Sequence, residues 1–285
     1  MVGYFLVYIG VAYYICCRNV YPIIQTKNTP HTMKKTILPL IACFLVSLAL
    51  LPVLKAGSRT AAPMAASIGS VSESTATTGG EEDAATASAA AASLYSSLQL
   101  KSLGLSFEAL DYALKGHAQL VKTGAVSNKD VLTVIDFSQP SSKKRMYIID
   151  VANAKVLYNT YVAHGKNTGL QYAEKFSNKN ESLQSSLGFY VTKATYSGKH
   201  GLSLRLSGKE AGWNDNAEQR AVVVHGAEYI GSNRADAAYM GRSWGCPAVP
   251  QAQAATVINL IKDGTTLFIY HPSASYIKGS KLLNA

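Results

Sequence analysis

Cysteine is scarce in this sequence and absent between residues 43 and 246. The chain of 285 residues has only four, and none of them form a C-x-x-C pair. H-E-x-x-H and His-x-His spacings are missing as well. These absences argue against a zinc site built on a familiar motif. They also leave Cys246 as the single thiol of the C-terminal two thirds of the chain.

Charge is also sparse, at 15% of residues. From residue 58 onwards, 22 Lys and Arg stand against 17 Asp and Glu, so this part carries about half of the formal +10 of the whole chain. The charges are interspersed, and no basic stripe with interleaved aromatics is present, which argues against nucleic acid as a partner. The mild positive charge suits a polyanionic cell envelope, although solubility alone explains it equally well.

The first 57 residues contain two apolar runs, at 4–17 and 33–57. The second begins with Met33 and two lysines, continues with an apolar stretch and ends in small residues, which is the layout of a signal peptide. We therefore interpret residues 1–57 as an N-terminal extension plus signal peptide, with translation starting at Met33. The alternative is a membrane hairpin; either interpretation places the remainder outside the cytoplasm, in the periplasm or cell envelope.

Residues 40–43, Leu-Ile-Ala-Cys, resemble a lipobox in which Cys43 would carry a lipid. The apolar run continues through Leu54, whereas a lipidated N-terminus leads into polar chain, and this favours cleavage near Ala56. Membrane association is expected only through the signal or such a lipid anchor.

Residues 58–93 are nearly all Ala, Ser, Thr and Gly. Such a composition cannot bury enough surface to offset its ordering entropy, so a flexible linker is predicted. Residues 94–129 form a predicted helical segment, in which Ser106 caps a helix that stops at Gly124 and His117 lies off the apolar face. That face is predicted at helical spacing from Phe107, Leu110, Ala113, Leu114, Ala118 and Val121.

Residues 130–285 show short β-branched and aromatic runs separated by turn residues. Seven strands are predicted, with one helix near 251–262, and no internal repeat is visible. The strand runs lie at 131–137, 145–151, 155–165, 188–196, 202–206, 221–226 and 265–271. The fold class is therefore mainly β with some helix (α+β), in a single domain.

Cys246 lies in the stretch GRSWGCPAVP, between Gly245 and Pro247. A glycine allows a backbone turn that other residues resist, and such a turn can aim successive N–H groups at one point. A buried, inert cysteine is the alternative, but an unpaired thiol is uncommon where disulfides form, and export therefore favours a reactive role.

His225 ends the run AVVVHG, 21 residues before the lone cysteine. Cysteine chemistry needs a thiolate, a base and oxyanion donors, and this pair supplies the first two. If His225 holds Cys246 as an ion-paired thiolate, alkylation near neutral pH should be faster than for a free thiol. His164 and His200 also occur in His-Gly pairs, so three histidines with the cysteine could in principle form a zinc set, and a zinc hydrolase is the competing class. Zinc would quench the thiolate, and no metal or other cofactor is predicted.

The stretch VVVHG followed by GRSWGCPAVP resembles the YkuD-type murein L,D-transpeptidases, whose signature is His-Gly, a spacer and Ser/Thr-x-Gly-Cys. Residues 185–192, SSLGFYVT, are similar to the Thr-Pro-x-Gly-x-Phe strand of that family. The resemblance covers residues 130–272. This chain has Trp244 and Ala248 where most members have His and Arg, so it looks like a divergent branch with Ser-Trp-Gly-Cys-Pro.

The resemblance implies a β-sandwich-like catalytic domain preceded by one or more helices. It also implies that Cys246 attacks a peptidoglycan stem peptide, with His225 as base and then acid and the Gly226 carbonyl orienting the imidazole. N–H groups of Gly245 and Cys246 would bind the oxyanion. The partners implied are donor and acceptor stem peptides, and a monomer is expected. The alternatives are an L,D-carboxypeptidase, which uses water as acceptor, and a catalytically silent wall-binding module.

Three further residues are candidates for substrate binding. Ser243 either contacts substrate or forms the turn, and Trp244 is either a substrate platform or a core anchor, with the core favoured. Arg242 is suggested as a replacement for the missing guanidinium of the family. The polar stretch 214–220 is interpreted as a structural loop in preference to a stem-peptide contact.

Overall fold

A computed structural model describes residues 79–285, in which two helices precede an eight-stranded sheet. The helices are α1 (Gly79–Ser97) and α2 (Phe107–Lys122). The strands are β1 (Val131–Asp136), β2 (Met146–Asp150), β3 (Lys155–Thr160), β4 (Gly188–Gly198), β5 (Gly201–Gly208), β6 (Val223–Ala227), β7 (Ala248–Pro250) and β8 (Thr266–Tyr270). Helix α3 (Ala254–Ile261) lies between β7 and β8, and α4 (Ala274–Gly279) follows β8.

The strands form one continuous sheet in the order β3-β2-β1-β8-β4-β5-β6-β7. The pairs β1–β8 and β6–β7 are parallel, and the other neighbouring pairs are antiparallel. The mainly β fold class with some helix is confirmed. The sandwich-like arrangement that was expected takes the form of a single hydrogen-bonded sheet, with the last strand inserted between β1 and β4.

All seven predicted strands are present, and an eighth, β7, was not predicted. It has three residues and ends in Pro250, so it carries neither the length nor the pattern of a strand. It pairs in parallel with β6 and places Ala248 opposite His225. This register brings Cys246, two residues before Ala248, to the end of the sheet where His225 lies.

Helix α2 begins and ends where the sequence predicts. The Ser106 side chain accepts a hydrogen bond from the Ala109 N–H, and the helix stops two residues before Gly124, whose φ is +68°. Its buried face is rotated from the predicted stripe, because Ala118 is exposed and His117 is buried. The buried residues are Ala109, Leu110, Asp111, Ala113, Gly116, His117 and Leu120.

His117 is buried because both of its ring nitrogens are paired. Nδ1 lies 2.8 Å from the Thr266 hydroxyl, and Nε2 lies 3.0 Å from the Lys129 carbonyl oxygen. Burial lowers the pKa of this imidazole. The preceding residue, Gly116, allows the helix to approach Phe189, whose ring would lie 2.0 Å from a Cβ at that position. Tertiary contacts therefore override the apolar periodicity.

Helix α1 begins inside the segment predicted as a linker, so residues 79–93 are helical. Alanine has the highest intrinsic helix propensity, and it predominates in this segment. Ala91 is fully buried, and the Tyr95 hydroxyl donates to the Leu105 carbonyl at 2.7 Å. The remaining linker residues and the interpretations of Met33 and Cys43 lie outside the described residues. Within residues 79–285, no helix has the length and apolarity required to span a bilayer.

The main core lies between the sheet and the helices α2 and α3. At its centre the rings of Phe189 and Phe268, on adjacent strands, stack with 4.1 Å between centroids. A second, smaller cluster lies beneath the loops at the end of β6 and β7. Its buried members are Ala163, Ala227, Ile230, Met240 and Ala248. The loops that precede and follow the two strands pack on this cluster.

Candidate active site

Cys246 and His225 line one cavity of about 470 Å³ at the end of β6 and β7. Three other residues predicted from the sequence, Arg242, Ser243 and Trp244, lie on the same wall. The structure therefore brings together every predicted side chain of the site. Gly226 and Gly245 contribute through their backbone. Nine other lining residues were not assigned to the site from the sequence; among them are Lys199, His200, Arg220 and Tyr229.

The imidazole of His225 is oriented by the next residue. It is 4% exposed, and its Nδ1 lies 2.8 Å from the Gly226 carbonyl oxygen. A carbonyl can only accept, so Nδ1 carries the proton and the lone pair lies on Nε2. Burial lowers the pKa of His225, and the nearby charges of His200 and Lys199 lower it further. His225 is therefore neutral at physiological pH and available as a base.

The thiol of Cys246 faces the first residues of β6. The Val223 N–H points to Sγ with 3.5 Å between nitrogen and sulfur, and the thiol lies 3.7 Å from the Ala221 carbonyl oxygen. Burial raises the pKa of the thiol, opposed by the Val223 N–H and by the charge of Arg220. The resting thiol is therefore protonated. Desolvation thus disfavours the charged form of both Cys246 and His225.

The turn before Cys246 is held by Ser243. Its hydroxyl donates to the Cys246 carbonyl at 2.6 Å and accepts from the Gly245 N–H at 3.1 Å. Ser243 is 4% exposed. Of its two interpretations, the structure supports the turn former. In the same geometry the Gly245 N–H is engaged by the Ser243 hydroxyl.

Gly245 is nevertheless required by its conformation. Its φ is +127°, and a Cβ at this position would lie 2.7 Å from the Gln184 carbonyl oxygen. The Ser185 hydroxyl donates to the Gly245 carbonyl at 3.1 Å. The loop that contains Gln184 and Ser185 therefore presses against the turn that carries the thiol, and only glycine fits between them.

Trp244 was expected in the core, and this was wrong, because the side chain is 71% exposed. Its ring forms part of the cavity wall, and the Lys199 ammonium lies 5.2 Å from the ring centroid. The turn explains this position. Ser243 points inwards to hold the turn, so the next side chain points outwards.

Arg242 lies at the edge of the cavity. Its guanidinium donates to the Lys166 carbonyl at 2.9 Å and to the Gly169 carbonyl at 3.3 Å, and it covers the ring of Tyr239. These contacts tie Arg242 to the 166–169 loop, so its guanidinium is already committed to backbone carbonyls.

His164, in the other strand-end His-Gly pair, lies outside the cavity. It is 1% exposed; its Nδ1 accepts from the Arg145 guanidinium at 2.8 Å, and its Nε2 donates to the Gly169 carbonyl at 3.3 Å. Burial and the charge of Arg145 lower the pKa of His164 to about 3. A cation beside the ring opposes metal binding. Within residues 79–285, no three His, Cys, Asp or Glu side chains lie close enough to hold a metal ion.

His200 lies at the tip of the β4–β5 hairpin and stacks on His225. The ring centroids are 4.4 Å apart, with 24° between the ring planes. The register between β5 and β6 pairs Ser203 with His225, which places the hairpin tip over the imidazole. The contact could have been predicted only by pairing the strand runs at 202–206 and 221–226, because that pairing places His200 near His225.

The 214–220 stretch divides into two parts. Asn214 is fully buried and donates to the carbonyls of Leu187 and Phe189, both at 3.0 Å, as the structural-loop interpretation predicts. Arg220, at the other end, reaches the cavity. No local pattern distinguishes Arg220 from any other polar loop residue.

A cysteine and a buried, oriented imidazole thus line one cavity at the end of a mainly β sheet. The family model described as the L,D-transpeptidase catalytic domain matches residues 101–270. The chain belongs to the L,D-transpeptidase catalytic domain family. The match begins before β1 and includes α2.

Solved structures show weaker likenesses. An L,D-transpeptidase from Mycobacterium smegmatis is 15% identical with a TM-score of 0.32, over 50% of this chain and 59% of that one. The helical cell shape determining protein Pgp2 from Campylobacter jejuni is 11% identical with a TM-score of 0.34, over 56% and 57%. L,D-transpeptidase 1 from Mycobacterium tuberculosis is 13% identical with a TM-score of 0.27, over 50% and 62%. The chain thus spans less than two thirds of each of these proteins. No curated sequence matches it significantly.

Proposed function

We propose that this protein is a cysteine-dependent L,D-transpeptidase that cross-links peptidoglycan stem peptides through a thioester acyl-enzyme. The observation that carries the proposal is the placement of Cys246 and His225 on one cavity, with the Nε2 lone pair of His225 left free by the Nδ1 contact to Gly226. Membership of the L,D-transpeptidase catalytic domain family supports the reaction class.

In the proposed reaction, the sulfur of Cys246 attacks the carbonyl carbon of the third stem residue. This carbon is joined by an amide bond to the terminal D-alanine. The thiol proton passes to Nε2 of His225, which then protonates the departing amine of D-alanine. A thioester remains on Cys246. An amine of a second stem attacks this thioester, its proton passes to His225, and Sγ recovers a proton as the thiol leaves.

The oxyanion of each tetrahedral intermediate requires a donor near the sulfur. The Gly245 N–H is engaged by Ser243, so we assign this role to the Cys246 N–H, which lies close enough to its own thiol to lower the pKa of that thiol. The Val223 N–H, which points to Sγ, stabilises the thiolate as it forms.

The charge of the cavity suits a donor that carries carboxylates. Lys199, Arg220 and Arg242 line it, and its lining includes no Asp or Glu. The exposed face of Trp244 adds an apolar platform on the same wall. A stem peptide ends in a free carboxylate next to the scissile bond, so the cationic wall would hold the donor while the thiol attacks.

Residues 1–57 are proposed to direct export, so that the catalytic domain acts in the periplasm or cell envelope. The cell-wall substrate of the proposed reaction requires this location.

The decisive experiment is intact-mass analysis of the mature protein after incubation with a disaccharide tetrapeptide, with Cys246→Ala as the matched control. We expect an acyl adduct on the wild type, released D-alanine and a cross-linked dimer, and none of these with the variant. D-Alanine release without a dimer would replace the transferase by a carboxypeptidase. A folded wild type with neither adduct nor release would be a silent wall-binding module and would overturn the proposal.

A further inference from the structure

Arg220 lies just before β6 and lines the cavity with Cys246. Its guanidinium is half-buried and holds the 177–186 loop through four hydrogen bonds. Nη1 donates to the Ser177 carbonyl at 2.8 Å and to the Ser186 hydroxyl at 2.5 Å. Nη2 donates to the Gln184 carbonyl at 2.6 Å and to the Ser182 hydroxyl at 3.1 Å.

The loop that Arg220 holds is the one that presses on the turn of the nucleophile. Gln184 supplies the carbonyl that excludes a Cβ at Gly245, and Ser185 donates to the Gly245 carbonyl. The guanidinium itself approaches this turn, since Nη2 lies 3.3 Å from the position of a Cβ on Gly245. Arg220 therefore connects the 177–186 loop to the residue that precedes Cys246.

The charge of Arg220 is not neutralised. Within the described part of the chain, its guanidinium takes part in no salt bridge, and the cavity lining contains no carboxylate. Its four acceptors are neutral oxygens, which satisfy its donors and leave its charge in place. In a half-buried site such a charge is screened less than on the surface, so it favours a negative charge on the neighbouring sulfur.

We propose that Arg220 is a positioning residue of this site, which fixes the 177–186 loop against the Gly245 turn and supplies the positive charge that stabilises the Cys246 thiolate during attack. Its part in turnover rests on the function proposed above. Its effect on the thiol does not depend on any substrate. The raised pKa of Cys246 is partly offset by Arg220, in agreement with this role.

Other charged or titratable groups also face the thiol, and the test must separate them from Arg220. His225 lies on β6, and the hairpin between β4 and β5 contributes a lysine and a histidine. Two tyrosines lie on β4, and the remaining groups come from the segments around the turn. The set is His225, Lys199, His200, Tyr190, Tyr196, Tyr229 and Arg242. Arg242 is the matched control, because it is a cavity-lining arginine whose donors also go to backbone carbonyls.

The experiment measures the rate of alkylation of Cys246 by iodoacetamide as a function of pH in the mature wild type and in the variants Arg220→Gln, Arg220→Lys and Arg242→Gln. For Arg220→Gln, we expect the midpoint of the alkylation–pH profile to rise by about one pH unit. At pH values below this midpoint, Cys246 should be alkylated roughly tenfold more slowly than in the wild type. Arg220→Lys keeps the charge and should keep the midpoint, and Arg242→Gln should also leave it unchanged. D-Alanine release by Arg220→Gln should show the same displacement of its pH profile.

An unchanged midpoint in a folded Arg220→Gln variant would overturn the proposal, because a purely structural arginine would alter stability alone. If circular dichroism shows that this variant does not fold, Arg220→Lys becomes the deciding variant. A displaced alkylation midpoint despite the retained charge would then overturn the proposal. If the midpoint of the alkylation profile depends on Arg220 but the wild type forms no acyl adduct, the proposed function is wrong and this inference stands. If the wild type forms the adduct but the midpoint does not depend on Arg220, this inference is wrong and the proposed function stands.

Discussion

Replacing Gly245 by alanine should destabilise the fold and inactivate the site together. A φ of +127° disfavours any residue with a Cβ, at a cost of about 1–2 kcal/mol. The added methyl would also lie 2.7 Å from the Gln184 carbonyl oxygen, which is backbone and cannot rotate away. Overpacking of this kind costs a further 1–3 kcal/mol, roughly. The free energy of unfolding of Gly245→Ala should therefore fall by about 2–5 kcal/mol.

The matched control is Gly124→Ala. Gly124 also has a positive φ, +68°, but no atom lies within 4 Å of its Cβ position. Only the backbone term applies there, so the loss should be about 1 kcal/mol. Urea unfolding measures both variants, and D-alanine release measures the site, which Gly124→Ala should leave intact. A Gly245→Ala variant that loses no more stability than Gly124→Ala would refute the close approach of the 184 carbonyl to the turn.

Three further perturbations test separate features. Because burial raises the pKa of the Cys246 thiol, the alkylation midpoint of the wild type should lie above that of free cysteine; a lower midpoint would restore the ion pair expected from the sequence. Trp244→Ala should raise the KM for a tetrapeptide donor while changing the free energy of unfolding by less than about 0.5 kcal/mol, since the ring is exposed; a large loss of stability in urea unfolding would contradict this position. The pKa of His164 is lowered to about 3, so its stabilising effect is complete above about pH 6.5 and is lost as the pH falls towards 3. His164→Gln should reduce this acid loss by up to about 3 kcal/mol in unfolding curves measured from pH 7 to 4, and an unchanged loss would argue against its burial.

The parts of the fold that local pattern decides could be predicted. Alternating apolar residues identify seven strands, and Ser106 and Gly124 mark the ends of α2. The missed strand, Ala248–Pro250, exists only through its pairing with β6, which no pattern of three residues reveals. The buried face of α2 was displaced for a similar reason, since His117 finds Thr266 and Lys129 from distant parts of the chain.

The candidate site divides in the same way. Cys246 and His225 could be found because their residue types and spacing are rare, and Gly245 because only glycine permits its turn. Arg220 and His200 could not, since their roles depend on the 177–186 loop and on the hairpin register. The engaged N–H of Gly245 also depends on the orientation of one serine hydroxyl, which sequence does not specify.

The His-Gly pairs at 164–165 and 225–226 show how the environment separates similar dipeptides. His164 is held between Arg145 and the Gly169 carbonyl, so both of its nitrogens are used and its pKa is far too low for it to accept a proton at neutral pH. His225 uses only Nδ1, on the Gly226 carbonyl, and keeps Nε2 free. Burial disfavours the charged forms of both His225 and Cys246. A thiol that stays protonated is also less readily oxidised, since the thiolate is the reactive species.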